Sequence, residues 1–250
     1  MEETAVRFLS LFVSLLFLAG VAHADDHSAS AKAVSFTTSD KVILKGSYFP
    51  GKPGAPIVLL LHQLGSDRSE FVGLAKLLQG KGFNVLAYDA RGHGESVVRD
   101  GKKTSYEDFV REDFEKMTLD IEAALAHLRQ DKRLAKAPVG IVGASIQSST
   151  GLVYASKHPE VKALVMLSPG LDYRGIDTVA PMKIYGARPV FLAAGIQDAA
   201  SYKAVRELEA VSAGPKKKAV FSNSAHGTAM LREEPGFEKK TADWISANLK

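Results

Sequence analysis

The sequence predicts a three-layer α/β fold in which helices cover both faces of a mostly parallel sheet. Three observations carry this expectation. Six short runs are largely apolar without alternation, at 57–61, 83–87, 139–142, 163–167, 190–193 and 219–221, as expected of strands buried on both faces. Helical patterns fall between the runs, and strand-helix alternation is what a parallel sheet with crossover helices requires. No repeat or long linker divides the chain, so successive crossovers can wind it into one unit.

The elements follow in order. An apolar stretch at 8–22 opens the chain of 250 residues; it is shorter than the roughly 20 residues that span a bilayer. Small Ala22 and Ala24 followed by polar Asp25 and Asp26 predict a signal peptide, residues 1–24, cleaved after Ala24. Its start sets Glu2 and Glu3 against Arg7, less positive than export signals usually are. The expected product is periplasmic or secreted, with no stable membrane anchor after cleavage. Residues 25–32 are small and polar and read as a flexible lead-in to a domain at 33–250. Alternating runs at 33–37 and 42–49, separated by Ser39 and Asp40, predict an antiparallel hairpin at the sheet edge. A helix from Asp67 to Gln79 closes at Gly80. Val110, Phe114, Met117, Ile121, Leu125 and Leu128 recur at helical spacing behind Ser105 and Asp108, which predict a capping box. Another helix follows Ser145 and stops at His158 and Pro159, and one runs over about 202–211. The last, at 237–249, sets Phe237, Trp244, Ile245 and Leu249 on one side.

Composition excludes several classes of function. With 46% hydrophobic and 24% charged residues the chain suits an ordinary globular domain. The absence of cysteine excludes disulfides, thiolate metal sites and a cysteine nucleophile. A net charge of +4 is mild, and the lysine clusters at 102–103, 216–218 and 239–240 are scattered, so no nucleic-acid partner is expected. No helical pair of histidines or clustered ligand set marks a metal site, and no cofactor is expected.

In sheets of this kind functional groups gather at the carboxyl ends of the strands. The run at 139–142 passes through Gly143 and Ala144 into Ser145 and straight on into a helix, the context of a nucleophile elbow. Gln147 stands where G-x-S-x-G has its second glycine, and a serine at this place can also be a plain helix cap. A serine hydroxyl becomes a nucleophile only when an imidazole takes its proton and a carboxylate holds that imidazole. Asp198 follows the run at 190–193, with Asp172 a rival acid after 163–167, and His226 follows the run at 219–221. His62 and His93 sit in turns and read as loop hydrogen-bond formers. Serine, acid, histidine is the chain order of α/β-hydrolases.

Two further segments complete the pattern. Leu60-Leu61-His62-Gln63-Leu64-Gly65-Ser66 is similar to an oxyanion-hole turn after the third strand, with Gln63 where many relatives have glycine. Asp89-Ala90-Arg91-Gly92-His93-Gly94-Glu95-Ser96 is similar to a D-x-R-G-H-G-x-S loop, mainly structural in the family. On these segments the chain resembles serine hydrolases of the α/β-hydrolase superfamily, in the style of the dienelactone-hydrolase-like and esterase branches, over roughly 33–249. The resemblance implies an eight-stranded α/β-hydrolase fold without a large lid domain, since only 168–188 separates the sixth and seventh strands. It implies acyl transfer through Ser145, with His226 as base, Asp198 orienting it, and the backbone amides of Leu64 and Ile146 holding the oxyanion. Dienelactone hydrolases carry cysteine where this chain has Ser145. The expected partner is a small-molecule ester, with Tyr173, Met182 and Tyr185 as candidate pocket residues. A peptidase or amidase would use the same triad. A noncatalytic binding protein would result if the bulk of Gln147 kept the elbow from forming.

Overall fold

The computed structural model describes residues 31–249. The expected leader and residues 25–30 of the lead-in lie outside the described residues. Eight main strands are present: β1 Lys32–Thr37, β2 Val42–Phe49, β3 Ile57–Leu61, β4 Asn84–Tyr88, β5 Val139–Ala144, β6 Val161–Leu167, β7 Val190–Gly195 and β8 Lys216–Phe221. They lie in the order β1-β2-β4-β3-β5-β6-β7-β8. The pairs from β4 to β8 are all parallel, while β2 runs antiparallel to β1 and β4. Two short strands, Val98–Arg99 and Lys102–Lys103, extend the sheet beside Val42 and Ile43, so it counts ten strands where eight are expected. Asp100 and Gly101 between them both take positive φ, 47° and 75°, the geometry that an Asp-Gly hairpin turn supplies.

The helices are α1 Val72–Gly80, α2 Arg111–Glu115, α3 Thr118–Leu128, α4 Ile146–Lys157, α5 Val179–Tyr185, α6 Ala199–Val211, α7 Ala229–Glu233 and α8 Phe237–Asn248. Every residue of β3 is buried, and its side chains divide by alternation. Ile57, Leu59 and Leu61 join the core beneath α3, α4 and α6, while Val58 and Leu60 join the core beneath α1 and α8. Burial on both faces is why this strand carries no polar alternation.

Local differences from the expected elements have local causes. Of the predicted stripe, Val110 is 60% exposed while the other five residues are buried, because Val110 has an extended backbone and α2 begins only at Arg111; the chain breaks again at Lys116 and Met117 between α2 and α3. Ser105 caps a separate short turn, accepting from the Glu107 amide at 3.3 Å. The Val110 amide instead donates to the Asp113 carboxylate at 3.2 Å. α1 runs through Gly80, and Gly82, with φ 94°, makes the left-handed reversal. Between β6 and β7 the chain forms a small hairpin, Asp172–Tyr173 with Ile176–Asp177, and then α5, with no inserted domain. Met182 and Tyr185 are buried in the core against α4 and α6, and the Tyr185 hydroxyl donates to the Pro189 carbonyl at 2.9 Å. They are core residues and not pocket residues.

Candidate active site

Strand register sets the stage. Leu61 lies opposite Gly143, Ala144 opposite Leu167, Leu167 opposite Ala193 and Gly195 opposite Phe221. The turns that follow these strands therefore emerge along one edge of the sheet, and each begins with a polar residue or reaches one within a few positions.

Ser145 sits at the junction of β5 and α4 with φ 52° and ψ −127°, a region that costs an L-residue on the order of 1–3 kcal/mol. Surrounding bonds hold it there. Its amide donates to the Leu167 carbonyl at 2.8 Å, and its own carbonyl accepts from the Ser148 amide at 3.0 Å and the Ser148 hydroxyl at 2.7 Å. Gly143 is required for this packing, since a Cβ there would stand 2.6 Å from Ser148 Cα. Gln147 does not prevent the turn. Its side chain is buried, and neither atom of its amide has a hydrogen-bond partner among the described residues.

His226 lies on the loop after β8. Its Nε2 is 2.8 Å from Ser145 Oγ and its Nδ1 is 2.6 Å from Asp198 Oδ2. Asp198 caps α6 on a loop zipped to the histidine loop, with the Ile196 amide donating to Phe221 O at 2.7 Å and the Gln197 amide to Asn223 O at 3.0 Å. A side chain at Gly195 would collide with Asn223 O, so glycine lets the loops touch. Burial works to raise the Asp198 pKa, but hydrogen bonds from Ser201 and His226 and the charge of His226 outweigh it and hold the carboxyl below its ordinary range. The rival acid Asp172 is exposed on the small hairpin. Three of the expected site residues thus meet in one hydrogen-bonded line, and Asp172 is not among them.

The loop after β3 carries the other expected donor. His62 is fully buried, with Nδ1 2.7 Å from the Gln63 carbonyl and Nε2 accepting from the Ala90 amide at 2.9 Å. One nitrogen must donate and the other accept, which defines a neutral ring with its proton on Nδ1. Leu64 comes two residues later, and its side chain, like those of Phe109 and Tyr173, packs against a buried cluster that includes Phe114, Met117 and Ile146. The Ile146 amide belongs to the first turn of α4, where N–H groups have no partner within the helix and the dipole favours negative charge. A cleft of about 510 Å³ shares Phe114, Val153 and Ile176 with this apolar cluster, but none of Ser145, Asp198 or His226 lines it. Tyr173, the remaining pocket candidate, ends on Ser201 with its hydroxyl 2.9 Å from Ser201 Oγ.

His93 packs against this loop, its ring 4.2 Å from Tyr106 and 5.2 Å from His62. Burial lowers the pKa of both rings, His93 to about 4. The fold therefore holds neutral imidazoles, whereas the unfolded chain takes up protons below a reference pKa of about 6.5. The stability contribution of the neutral His93 ring is complete above about pH 6.5 and is lost as pH falls toward 4. Replacing His93 by leucine is expected to flatten the pH dependence of stability between pH 6.5 and 4.5 by about 1 kcal/mol per unit. Urea unfolding of both proteins at several pH values reads this, and parallel slopes would refute it.

Sequence reasoning passes over two groups here, Ser168 and the side chain of Gln63. Ser168 is buried, takes φ 52° just after β6, and accepts the Gly227 amide on its hydroxyl at 2.9 Å. Nothing in its local sequence separates it from an ordinary strand-terminal serine.

A strained serine before a helix, a histidine and an acid on successive turns, and this strand order define a member of the α/β-hydrolase superfamily. Within it, the chain belongs to the Hydrolase_4 family, described as serine aminopeptidase, S33, which matches residues 52–229. Among curated proteins it is similar to the thiohydrolase aneE of Aspergillus aculeatus, 24% identical over 87% of this chain and 66% of that protein. It is also similar to an uncharacterized protein of Mycobacterium tuberculosis, 29% identical over 56% of this chain and 46% of that one. The chain thus spans about two thirds or less of the length of these relatives. Among solved structures, the Pyrococcus furiosus esterase Pf2001 superposes with a TM-score of 0.71 at 20% identity, covering 90% of this chain and 94% of that one. A dienelactone hydrolase from Anabaena variabilis gives 0.69 at 22% identity, covering 88% and 98%. At such identities the likeness is one of fold.

Proposed function

We propose that this protein is a serine hydrolase that cleaves carboxylic esters of small substrates. The observation that carries the reading is the line Ser145 Oγ, His226, Asp198, with contacts of 2.8 and 2.6 Å. His226 Nε2 takes the hydroxyl proton as Ser145 Oγ bonds to the substrate carbonyl carbon. The carbonyl oxygen becomes an oxyanion facing the Leu64 and Ile146 amides, donors of a kind that lowers such barriers by about 3 kcal/mol each. The tetrahedral centre then expels the alcohol, which leaves with the proton from His226. Water repeats the sequence on the acyl-enzyme, giving the free acid and restoring Ser145. Asp198 keeps the Nδ1 proton in place and stabilises the imidazolium formed in each half-reaction. The apolar side chains around Leu64 and Ile146 suit a short or medium hydrocarbon acyl group.

A second reading keeps the same triad and changes the scissile bond. The description of the family as serine aminopeptidase favours an amide or peptide substrate, and the thiohydrolase relative points to thioesters. The test is labelling with a fluorophosphonate, which reacts with an activated serine, followed by peptide mapping and turnover of matched p-nitrophenyl esters, thioesters and aminoacyl anilides. Label on Ser145, absent in His226→Ala and after heat unfolding, with esters turned over fastest, is the expected result. A folded protein that takes no label would refute the hydrolase reading, and a preference for anilides would replace ester by amide.

A further inference from the structure

Gln63 departs from the glycine of similar hydrolases, and its side chain reaches the loop that carries His226. Its Oε1 accepts the Thr228 amide at 3.1 Å, across 165 positions of sequence. Its Nε2 points to Glu70 Oε1 at 3.5 Å, and the other Glu70 oxygen accepts the Thr228 hydroxyl at 2.7 Å. Glu70 and the buried Thr228 thereby lock the Gln63 amide so that its oxygen faces the histidine loop. The fit is close, because a side chain at Gly227, with φ 59°, would collide with Gln63 Oε1. Residue 227 is glycine where Gln63 comes in.

The main chain of Gln63 is held as firmly. Its carbonyl accepts a hydrogen bond from His62 Nδ1 at 2.7 Å, and the next amide is that of Leu64. One residue thus ties the loop of the oxyanion donor to the loop of the base. Ser168 accepts the preceding amide, that of Gly227, at 2.9 Å. The two amides that follow His226 are therefore each held by a side chain, on separate strand-end turns.

We propose that Gln63 is a positioning residue that fixes the Leu64 amide and the His226 imidazole relative to each other. The inference rests on the hydrolase reading. Both groups must meet the same tetrahedral centre, and errors of about 1 Å in such placement cost on the order of a hundredfold in rate. Glycine at this position would leave the two loops independent and the Thr228 amide without its acceptor.

The test uses the full chain and p-nitrophenyl acetate. Gln63→Ala is expected to lower kcat about tenfold to a hundredfold with KM nearly unchanged, and to slow fluorophosphonate labelling of Ser145 in proportion, at a temperature where circular dichroism shows the fold intact. Gln63→Glu is expected to lose as much, because two carboxylates then face each other. Adding Glu70→Gln to Gln63→Glu restores one acceptor for the Thr228 amide and one donor between the two side chains, and is expected to recover most of kcat. A purely structural role predicts a change in unfolding midpoint without the split between kcat and KM. Wild type that labels at the rate of Gln63→Ala overturns this proposal alone. Wild type that never labels overturns the hydrolase reading and this proposal with it. If Gln63→Ala does not fold, the exchanged pair decides, since failure of Gln63→Glu with Glu70→Gln to exceed Gln63→Glu in kcat refutes the arrangement.

Discussion

Asp198→Asn is expected to lower kcat for ester hydrolysis by about 10,000-fold while leaving the fold and the unfolding midpoint nearly unchanged. The reason is the tautomer. Asp198 Oδ2, 2.6 Å from His226 Nδ1, can only accept while ionised, and its lowered pKa keeps it ionised at neutral pH. Nδ1 therefore carries the proton and Nε2 is free to accept from Ser145 Oγ at 2.8 Å. An asparagine amide can turn its NH2 toward Nδ1, which moves the ring proton to Nε2 and makes it a donor toward the serine. Base catalysis then requires the rare tautomer. Asp172→Asn, on the exposed hairpin, is expected to leave kcat unchanged. If Asp172→Asn is the damaging change and Asp198→Asn is neutral, the assignment of the acid is wrong. Steady-state kinetics at pH 8 with circular dichroism of each variant separates the two outcomes.

Asp120→Ala is expected to destabilise the protein by about 3–5 kcal/mol, the range for removing one partner of a buried ion pair. Asp120 is fully buried on α3 and accepts two hydrogen bonds from Arg91, from Nε at 2.9 Å and the main-chain amide at 3.0 Å, with a second guanidinium nitrogen in ion-pair contact at 2.8 Å. The far side of the same guanidinium meets Asp40 at 2.9 and 3.1 Å. Without Asp120 the buried guanidinium keeps only Asp40, and the Arg91 amide loses its acceptor. The cost comes from the charge left behind. Arg91→Met in addition to Asp120→Leu is therefore expected to be more stable than Asp120→Leu alone. Equilibrium urea unfolding measures all three, and a loss below about 1 kcal/mol for Asp120→Ala would show that water reaches the site.

This pair belongs to the D-x-R-G-H-G-x-S loop, which the sequence presents as a local motif. Its partners are not local. Asp89 takes the Arg68 and Glu95 amides at 2.8 and 2.9 Å, and Arg68 bridges Asp89 and Glu95. The loop after β4 is thereby bound to the turn before α1. That a loop of this kind is structural can be read from its residue types, whereas Asp120 is indistinguishable in sequence from any other acidic residue on an amphipathic helix.

The class of fold was legible because it rests on periodicity, which is a property of neighbouring residues. Largely apolar runs marked the six parallel strands, and alternation marked β1 and β2. The short strands at Val98–Arg99 and Lys102–Lys103 and the five-residue helix α7 complete no period and leave no mark in the sequence, while α2 is legible only as the start of one helix continuous with α3. Val110 matches the helical stripe yet faces solvent, because spacing cannot reveal that the helix starts only at Arg111.

At the site the division is similar. The positions of Ser145, Asp198 and His226 just beyond strand ends, and their order, were available from the sequence by itself. Which acid meets the histidine was decided only in three dimensions, by the zipper of backbone bonds that joins the loop before Asp198 to the loop before His226. Gln63 and Gln147 looked in the sequence like the same departure, each a glutamine in place of glycine. The tertiary structure separates them, sending one amide across to Thr228 and burying the other without a hydrogen-bond partner among the described residues. Side-chain spacing along a strand or helix is dictated by the backbone of that element. The partner of a polar group far away in sequence is decided by the register of strands that only the complete sheet brings together.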